Sequence, residues 1–263
     1  MACLLLLIIF KPNPSFSQTP DTAFYRYQQI ITDTLFNAKQ IISILALPLS
    51  PSNQYSCDLF YSQHELKRTS TFAKEEDALL AINGSFFDMK KGGSVTYLEV
   101  NDSLISHAGP LQLPDSILNG VVLFTKNNKL RFAFKQPDSV YLKSRSERTV
   151  IGTGPLLIVD GLKVEIPGKK HFVTQRHPRT CLCTTTDSLL LITVDGRSNK
   201  ASGMSLYELQ DFLHDKHCTD AINLDGGGST TMWIKGKGIM NNPSDSTGER
   251  PVANVILVKK LKH

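Results

Sequence analysis

Short apolar runs separated by turn residues recur along this chain, and the side-chain period is mostly that of strands. Residues 41–48 and 55–62 read as strands, with Pro48 and Pro51 forcing a loop between them. Residues 71–77 read as a short helix feeding a buried strand at 78–82, which runs into Asn83-Gly84-Ser85-Phe86-Phe87-Asp88. Two hairpins follow, 95–100 with 103–107 around Asn101-Asp102, and 121–125 with 130–134 around 126–129. Gly152-Thr153-Gly154-Pro155 opens a strand at 156–159 that turns at Asp160-Gly161. The clearest helical signal starts at Ser205-Leu206-Tyr207-Glu208, a capping-box pattern, and continues in Leu209, Phe212 and Leu213, predicting a helix from 206 to about 216. It leads into a strand at 221–225, and the chain closes on an apolar run at 252–259. Strands outnumber helices and the hairpins demand antiparallel pairing. The expected fold is therefore α+β: mixed, mainly antiparallel sheets with flanking helices in a single domain.

A third hairpin carries a register. Residues 180–186 and 189–195 are joined by Asp187-Ser188, and if that pair is a two-residue turn, facing residues have numbers that sum to 375. Thr180 then faces Asp195, Cys181 faces Val194 and Cys183 faces Ile192, with Arg179, Thr180, Asp195 and Arg197 clustered at the open end. Asp-Ser is a weaker turn pair than Asn-Gly, which leaves room for a slip of one or two residues.

Composition changes the picture in three ways. With 263 residues, 41% of them hydrophobic and 20% charged, the chain can bury one large core, and no polar linker divides it. The formal charge of +5 is mild and the Lys and Arg residues are scattered, which argues against a nucleic-acid partner and leaves an anionic small ligand open. The apolar run Leu4 to Phe10, followed by small Ser15 and Ser17 before Gln18, reads as an export signal at 1–17, although no Lys or Arg precedes the run. The run is too short to span a bilayer, so a mature chain of 18–263 without an integral membrane segment is expected, placed in the periplasm, the cell envelope or the medium. Of the five cysteines, Cys3 lies in the leader. Cys57, Cys181, Cys183 and Cys218 are sparse for an exported protein, so disulfides are not expected to hold it together, and Cys181 and Cys183, on one face of a strand, read as buried free thiols rather than half of a metal site. The Cys181-x-Cys183 pair has no His or Cys pair at ligand spacing beside it. No cofactor is called for. No dedicated metal-ligand set is seen, and a divalent cation is left open.

The chemistry concentrates in Asn223-Leu224-Asp225-Gly226-Gly227-Gly228-Ser229-Thr230-Thr231, where an apolar strand delivers a carboxylate into three glycines and a run of hydroxyls. Ile222 and Leu224 would point into the core, with Asn223 and Asp225 on the other face, and the glycine N–H groups could converge on an anion as a nest. The ordinary alternative is a glycine-rich turn that Asp225 merely starts. Arg176-His177-Pro178-Arg179-Thr180 sets two guanidinium groups just before a strand, suited to a phosphate or carboxylate; a solvated basic loop is the plain reading. His177 is a candidate acid or base, or simply a loop residue. Asp195-Gly196-Arg197 supplies a second carboxylate at a strand end, and paired carboxylates are the usual equipment of glycoside hydrolysis. Neither phosphate-loop motif, G-x-S-x-G, H-E-x-x-H nor an EF-hand loop occurs in the required context.

Taken together, these segments resemble the phosphodiester glycosidase family. The resemblance rests on Asn83-Gly84-Ser85-Phe86-Phe87, Gly154-Pro155-Leu156-Leu157, Arg179-Thr180, Asp195-Gly196-Arg197, Gly203-Met204-Ser205-Leu206, the Asn223 to Thr231 segment and Arg250-Pro251-Val252-Ala253-Asn254, in the family's order. Ser85 stands where a second glycine is more usual and Cys181 where alanine is common; neither change removes a reactive group. The resemblance implies a hydrolase that cleaves a sugar-1-phosphodiester, of the N-acetylglucosamine-1-phosphodiester kind, to free sugar and phosphomonoester. On this reading Asp225 is nucleophile or base and Asp195 orients sugar or water. Arg179, with Arg176 and the amides of Gly226, Gly227 and Gly228, stabilises the departing charge. Asn83 and Asn223 bind sugar hydroxyls, and Gly84, Thr180, Arg197, Ser229 and Thr230 line the site. A non-catalytic phosphoglycan-binding envelope protein is the alternative, disfavoured because a pure anion binder gains nothing from carboxylates beside phosphate.

Overall fold

Alternation of side chains along the strands lets each sheet present one face to a shared core and the other to a helix or loop. The computed structural model describes residues 24–49, 55–107, 117–144, 146–166, 168 and 170–261; the leader at 1–17 and Pro51 lie outside them. The chain begins with β1 (Arg26–Thr32) and β2 (Gln40–Pro48), then β3 (Tyr55–Tyr61), α1 (Thr69–Glu75) and β4 (Leu80–Asn83). Next come β5 (Leu98–Val100), β6 (Ser103–Ser106), β7 (Gly120–Thr125), β8 (Leu130–Phe134), α2 (Asp138–Tyr141) and β9 (Glu147–Thr153). They are followed by β10 (Leu156–Val159), β11 (Leu162–Lys163), α3 (His171–Thr174), β12 (Arg179–Thr184), β13 (Ser188–Val194), α4 (Leu206–Asp215) and β14 (Asp220–Asn223). The last elements are β15 (Met232–Ile234), β16 (Gly238–Ile239) and β17 (Asn254–Lys260).

Three sheets result. A seven-stranded sheet runs β1-β2-β13-β12-β14-β10-β11, and two five-stranded sheets run β16-β15-β4-β17-β3 and β6-β5-β9-β7-β8. Strand pairs within them are antiparallel throughout, so the fold is the expected α+β arrangement. Leu45, Leu182, Leu191 and Ile222 of the first sheet meet Leu80, Ile82 and Ile256 of the second and Leu98, Val122 and Ile151 of the third in one buried cluster. On the opposite face of the large sheet, Ile42, Ile44, Ile192 and Val194 pack under Leu206, Leu209, Phe212 and Leu213 of α4. Each such aliphatic side chain contributes about 1.5–3 kcal/mol by leaving water. The capping box at the start of α4 is made in both directions: Glu208 N–H donates to Ser205 Oγ at 3.2 Å, and Ser205 N–H donates to Glu208 Oε2 at 2.9 Å.

Two expectations need correction. The β12–β13 hairpin pairs Arg179 with Val194, Thr180 with Thr193, Cys181 with Ile192 and Cys183 with Leu190. That is two residues away from the register expected with Asp187-Ser188 as the turn. Thr185 N–H instead donates to Ser188 O at 2.8 Å, closing the turn on Thr186-Asp187. A slip of two preserves the side-chain faces, so Cys181 and Cys183 still point into the apolar layer under α4. The second correction concerns the thiols. Cys57 and Cys181 are buried and free, but Cys183 and Cys218 form a disulfide with Cα atoms 5.8 Å apart. The α4–β14 connection folds back over β12 and brings together two residues separated by 35 positions.

Candidate active site

The ends of β4, β12, β13 and β14 converge on Asp225. Asn83, at the end of β4, is wholly buried and ties them together: its Oδ1 accepts from Thr180 Oγ1 at 2.8 Å and from Thr231 N–H at 3.1 Å, while its Nδ2 donates to Asp225 O at 2.7 Å. Asp225 N–H donates to Gly84 O at 3.1 Å, so this backbone is clamped on both sides just beyond β14. Gly84 is needed because Asn254 lies where its Cβ would be. Asn83, Gly84 and Thr180 thus hold the Asp225 backbone, and the Asn83 amide, expected to bind a sugar hydroxyl, is taken up in doing so.

The Asp225 carboxylate is half-buried, accepts from Gly226 N–H at 2.9 Å and faces the Ser229 hydroxyl and the guanidinium groups of Arg250 and Arg197. Burial pushes its pKa up to about 6, against the opposing pull of Ser229, the Gly226 amide and the two arginines. A poised carboxylate of this kind is characteristic of catalytic positions.

The three glycines are required for close approach rather than as an anion nest. Gly226 N–H is committed to Asp225 and Gly227 N–H donates to Pro178 O at 2.9 Å, so two of the three amides of the nest expected from the sequence are taken up within the protein. Gly227 has φ +61, and a Cβ there would press to 3.1 Å on the Arg197 guanidinium. Gly228 lies against Arg250 and Asp245, leaving no room for a Cβ. Arg250 and Asp245 form a two-point pair, Nε to Oδ2 and Nη2 to Oδ1, each at 2.7 Å. Asn223 Oδ1 and the hydroxyls of Thr230 and Thr231 are buried with no hydrogen-bond partner among the described residues. Asn223 Nδ2 is already occupied by Gly154 O at 2.8 Å and Leu224 O at 2.7 Å.

The basic cluster divides. Arg176 pairs with Glu208 through Nε and Nη2 and donates to Phe36 O at 2.7 Å, anchoring the start of α4. Arg179 is only 1% exposed. Its Nε donates to Met204 O at 2.8 Å, its Nη2 to Phe172 O and Gln175 O at 2.7 and 3.1 Å, and its guanidinium lies over the Phe172 ring. Burial lowers its pKa to about 9, with Arg197 adding to the effect. Arg179 shares the α4 face with Cys181, whereas Thr180 points the other way to Asn83, so the expected proximity of Arg179 to Asp195 does not arise. Asp195 is 2% exposed and accepts from Asn242 N–H at 3.1 and 3.2 Å and from Asn242 Nδ2 at 2.7 Å. Burial raises its pKa. It fixes the loop that brings Asp245 and Arg250 to Gly228. The guanidinium that remains exposed at the mouth is Arg197, whose Nη2 meets His177 Nδ1 at 3.2 Å.

Arg250, Asp245 and Asn242 were not singled out as site residues from the sequence. Only Arg250 carried a signal, through its place in the resemblance. Among the described residues no group of three or more His, Cys, Asp and Glu side chains forms a metal site.

The sequence profile of the phosphodiester glycosidase family matches residues 76–259, about the stretch that carries all of these groups. The SPbeta prophage-derived uncharacterized protein YomE of Bacillus subtilis is 28% identical over 198 residues, covering 72% of this chain and 29% of that protein. Mouse N-acetylglucosamine-1-phosphodiester alpha-N-acetylglucosaminidase is 26% identical over 174 residues, covering 63% of this chain and 33% of the mouse protein. The chain thus spans about a third or less of the length of these relatives. The zebrafish enzyme of that name, in the solved structure of its catalytic domain auto-inhibited by a pro-peptide, superposes with a TM-score of 0.73 at 22% identity, covering 93% of this chain and 86% of that one.

Proposed function

Because this chain belongs to the phosphodiester glycosidase family, we propose that it hydrolyses a sugar-1-phosphodiester of the N-acetylglucosamine-1-phosphodiester kind, with Asp225 as its working carboxylate. The observation that carries this reading is the half-buried Asp225 carboxylate, raised to about 6 and flanked by Arg197 and Arg250. Asp225 acts ionised, as nucleophile or as the base that takes a proton from water. The bond from C1 to the phosphate oxygen breaks, water supplies the new hydroxyl at C1, and the phosphomonoester departs with its electron pair. Such a leaving group needs little protonation, so its developing charge is met by a fixed cation, for which Arg197 is best placed. Arg179, Arg176 and Asp195 act one step away, by holding the 172–178 segment, the start of α4 and the 241–250 loop.

Incubation of the purified protein with a defined N-acetylglucosamine-1-phosphodiester in isotopically labelled water tests this. Free sugar carrying the label at C1 is expected. Label in the phosphomonoester would place cleavage at phosphorus, and saturable binding without any release would favour a phosphoglycan-binding protein.

A further inference from the structure

Arg197 is held in an unusual way. Its backbone is left-handed at φ +57, a conformation that a long side chain adopts at a cost of about 1–3 kcal/mol. Its guanidinium lies over Gly227, where even a methyl group would press on it at 3.1 Å. At the far end, Nη2 meets His177 Nδ1 at 3.2 Å.

The histidine is equally fixed. His177 N–H donates to Met204 O at 3.1 Å and accepts Met204 N–H through its own carbonyl at 3.0 Å. This two-bond bridge packs on Gly203, whose φ of +84 and contact with the His177 backbone exclude a side chain. An Arg donor requires that Nδ1 carry a lone pair, so the imidazole is the neutral form protonated on its other nitrogen. The surroundings favour neutrality: burial, Arg179 on β12, Arg197 beyond β13 and His171 on α3 all lower the imidazole pKa, and a hydrogen bond to the His171 backbone only partly offsets them.

We infer that His177 is a positioning residue for phosphate recognition, its neutral Nδ1 holding the Arg197 fork over Gly227 in the orientation that receives the phosphodiester. This rests on the proposed substrate class but not on turnover. A guanidinium held at one nitrogen keeps its other donors free, and it loses less rotamer freedom on binding than one that must be ordered by the ligand. His177 therefore acts through Arg197 and has no contact of its own with the reacting atoms.

The test is a double-mutant cycle read by calorimetric binding of a non-hydrolysable analogue of an N-acetylglucosamine-1-phosphodiester, with carbon in place of the bridging oxygen at C1, to the whole protein. His177→Ala is expected to raise Kd about tenfold, and His177→Asn, whose amide oxygen replaces the Nδ1 acceptor, to stay within about threefold of the parent. In an Arg197→Ala background the His177→Ala change should have no further effect. The inference is overturned if His177→Ala leaves Kd unchanged, if Asn does no better than Ala, or if the His177 effect persists without Arg197, which would mean that it acts on the loop as a whole. Because binding alone is measured, a protein that binds but does not turn over would refute the hydrolase reading while still deciding this one.

Discussion

Asp225 and Arg179 show how differently two charged residues at strand ends can be used. Asp225 is ionisable near neutrality and open to the mouth, whereas Arg179 is sealed under the 172–178 segment with three carbonyls on its guanidinium. Replacing Arg179 by Lys keeps the charge but cannot satisfy carbonyls in three directions, so Arg179→Lys should lower stability by about 2–3 kcal/mol, several degrees in Tm. Any loss of activity should be the same on a phosphodiester and on an aryl glycoside without phosphate. A loss confined to the phosphodiester would return Arg179 to the role first expected from the sequence. The sequence drew attention to Asp225 because an apolar strand runs straight into Asp-Gly-Gly-Gly, a pattern that an ordinary turn also fits. The burial of Arg179 was not legible there, because it depends on carbonyls contributed by residues 172, 175 and 204, which no local pattern links to position 179. Asn83 and Asn223 were expected to bind sugar hydroxyls; their committed hydrogen bonds lie in tertiary contacts that a sequence does not display.

At the level of elements, strand identity was easier to read than register. Turns at Thr186-Asp187 and at Asp187-Ser188 put the same faces inward, so hydrophobic pattern cannot separate them. β1 was missed because its exposed edge, with Gln28 and Gln29 in sequence, breaks the alternation that marks a half-buried strand. The Cys183–Cys218 disulfide was missed because its partners meet only once α4 has folded back onto the sheet. This bridge ties β12, which holds Asn83 through Thr180, to the approach of β14, which delivers Asp225. Closing a loop of 35 residues should stabilise the fold by about 3–4 kcal/mol on the chain-entropy model. Cys218→Ser is accordingly expected to lower Tm by several degrees, and a Tm unchanged both by this substitution and by reductant would show that the bridge does not form in solution. A disulfide also suits an oxidising compartment, which supports the proposal that the protein is exported. Intact mass of the protein recovered from its source would give a chain starting near Gln18 and lighter by two hydrogens; a full-length chain from Met1 with all thiols reduced would contradict that.

For the whole molecule, strand ends from two of the sheets meet around Asp225, and the charge balance there sets the pH behaviour. The folded-state pKa of Asp225 lies above its unfolded value, so its contribution to stability is fully present below the unfolded pKa and is lost as pH rises through about 6. At neutral pH the ionised carboxylate therefore destabilises the fold slightly, the usual trade between activity and stability at a working site. Among the described residues no helix is long and apolar enough to cross a membrane. The measurement that bears most directly on this account is kcat against pH for the parent and for Asp225→Asn on a defined N-acetylglucosamine-1-phosphodiester, with Tm recorded alongside. The parent should gain activity as pH rises through about 6, because the ionised carboxylate is the working form. Asp225→Asn should be slower by about a thousandfold at every pH, with a Tm at neutral pH equal to or above that of the parent. An Asn variant that keeps near-parent turnover and the same pH midpoint would remove Asp225 from the chemistry and contradict the account.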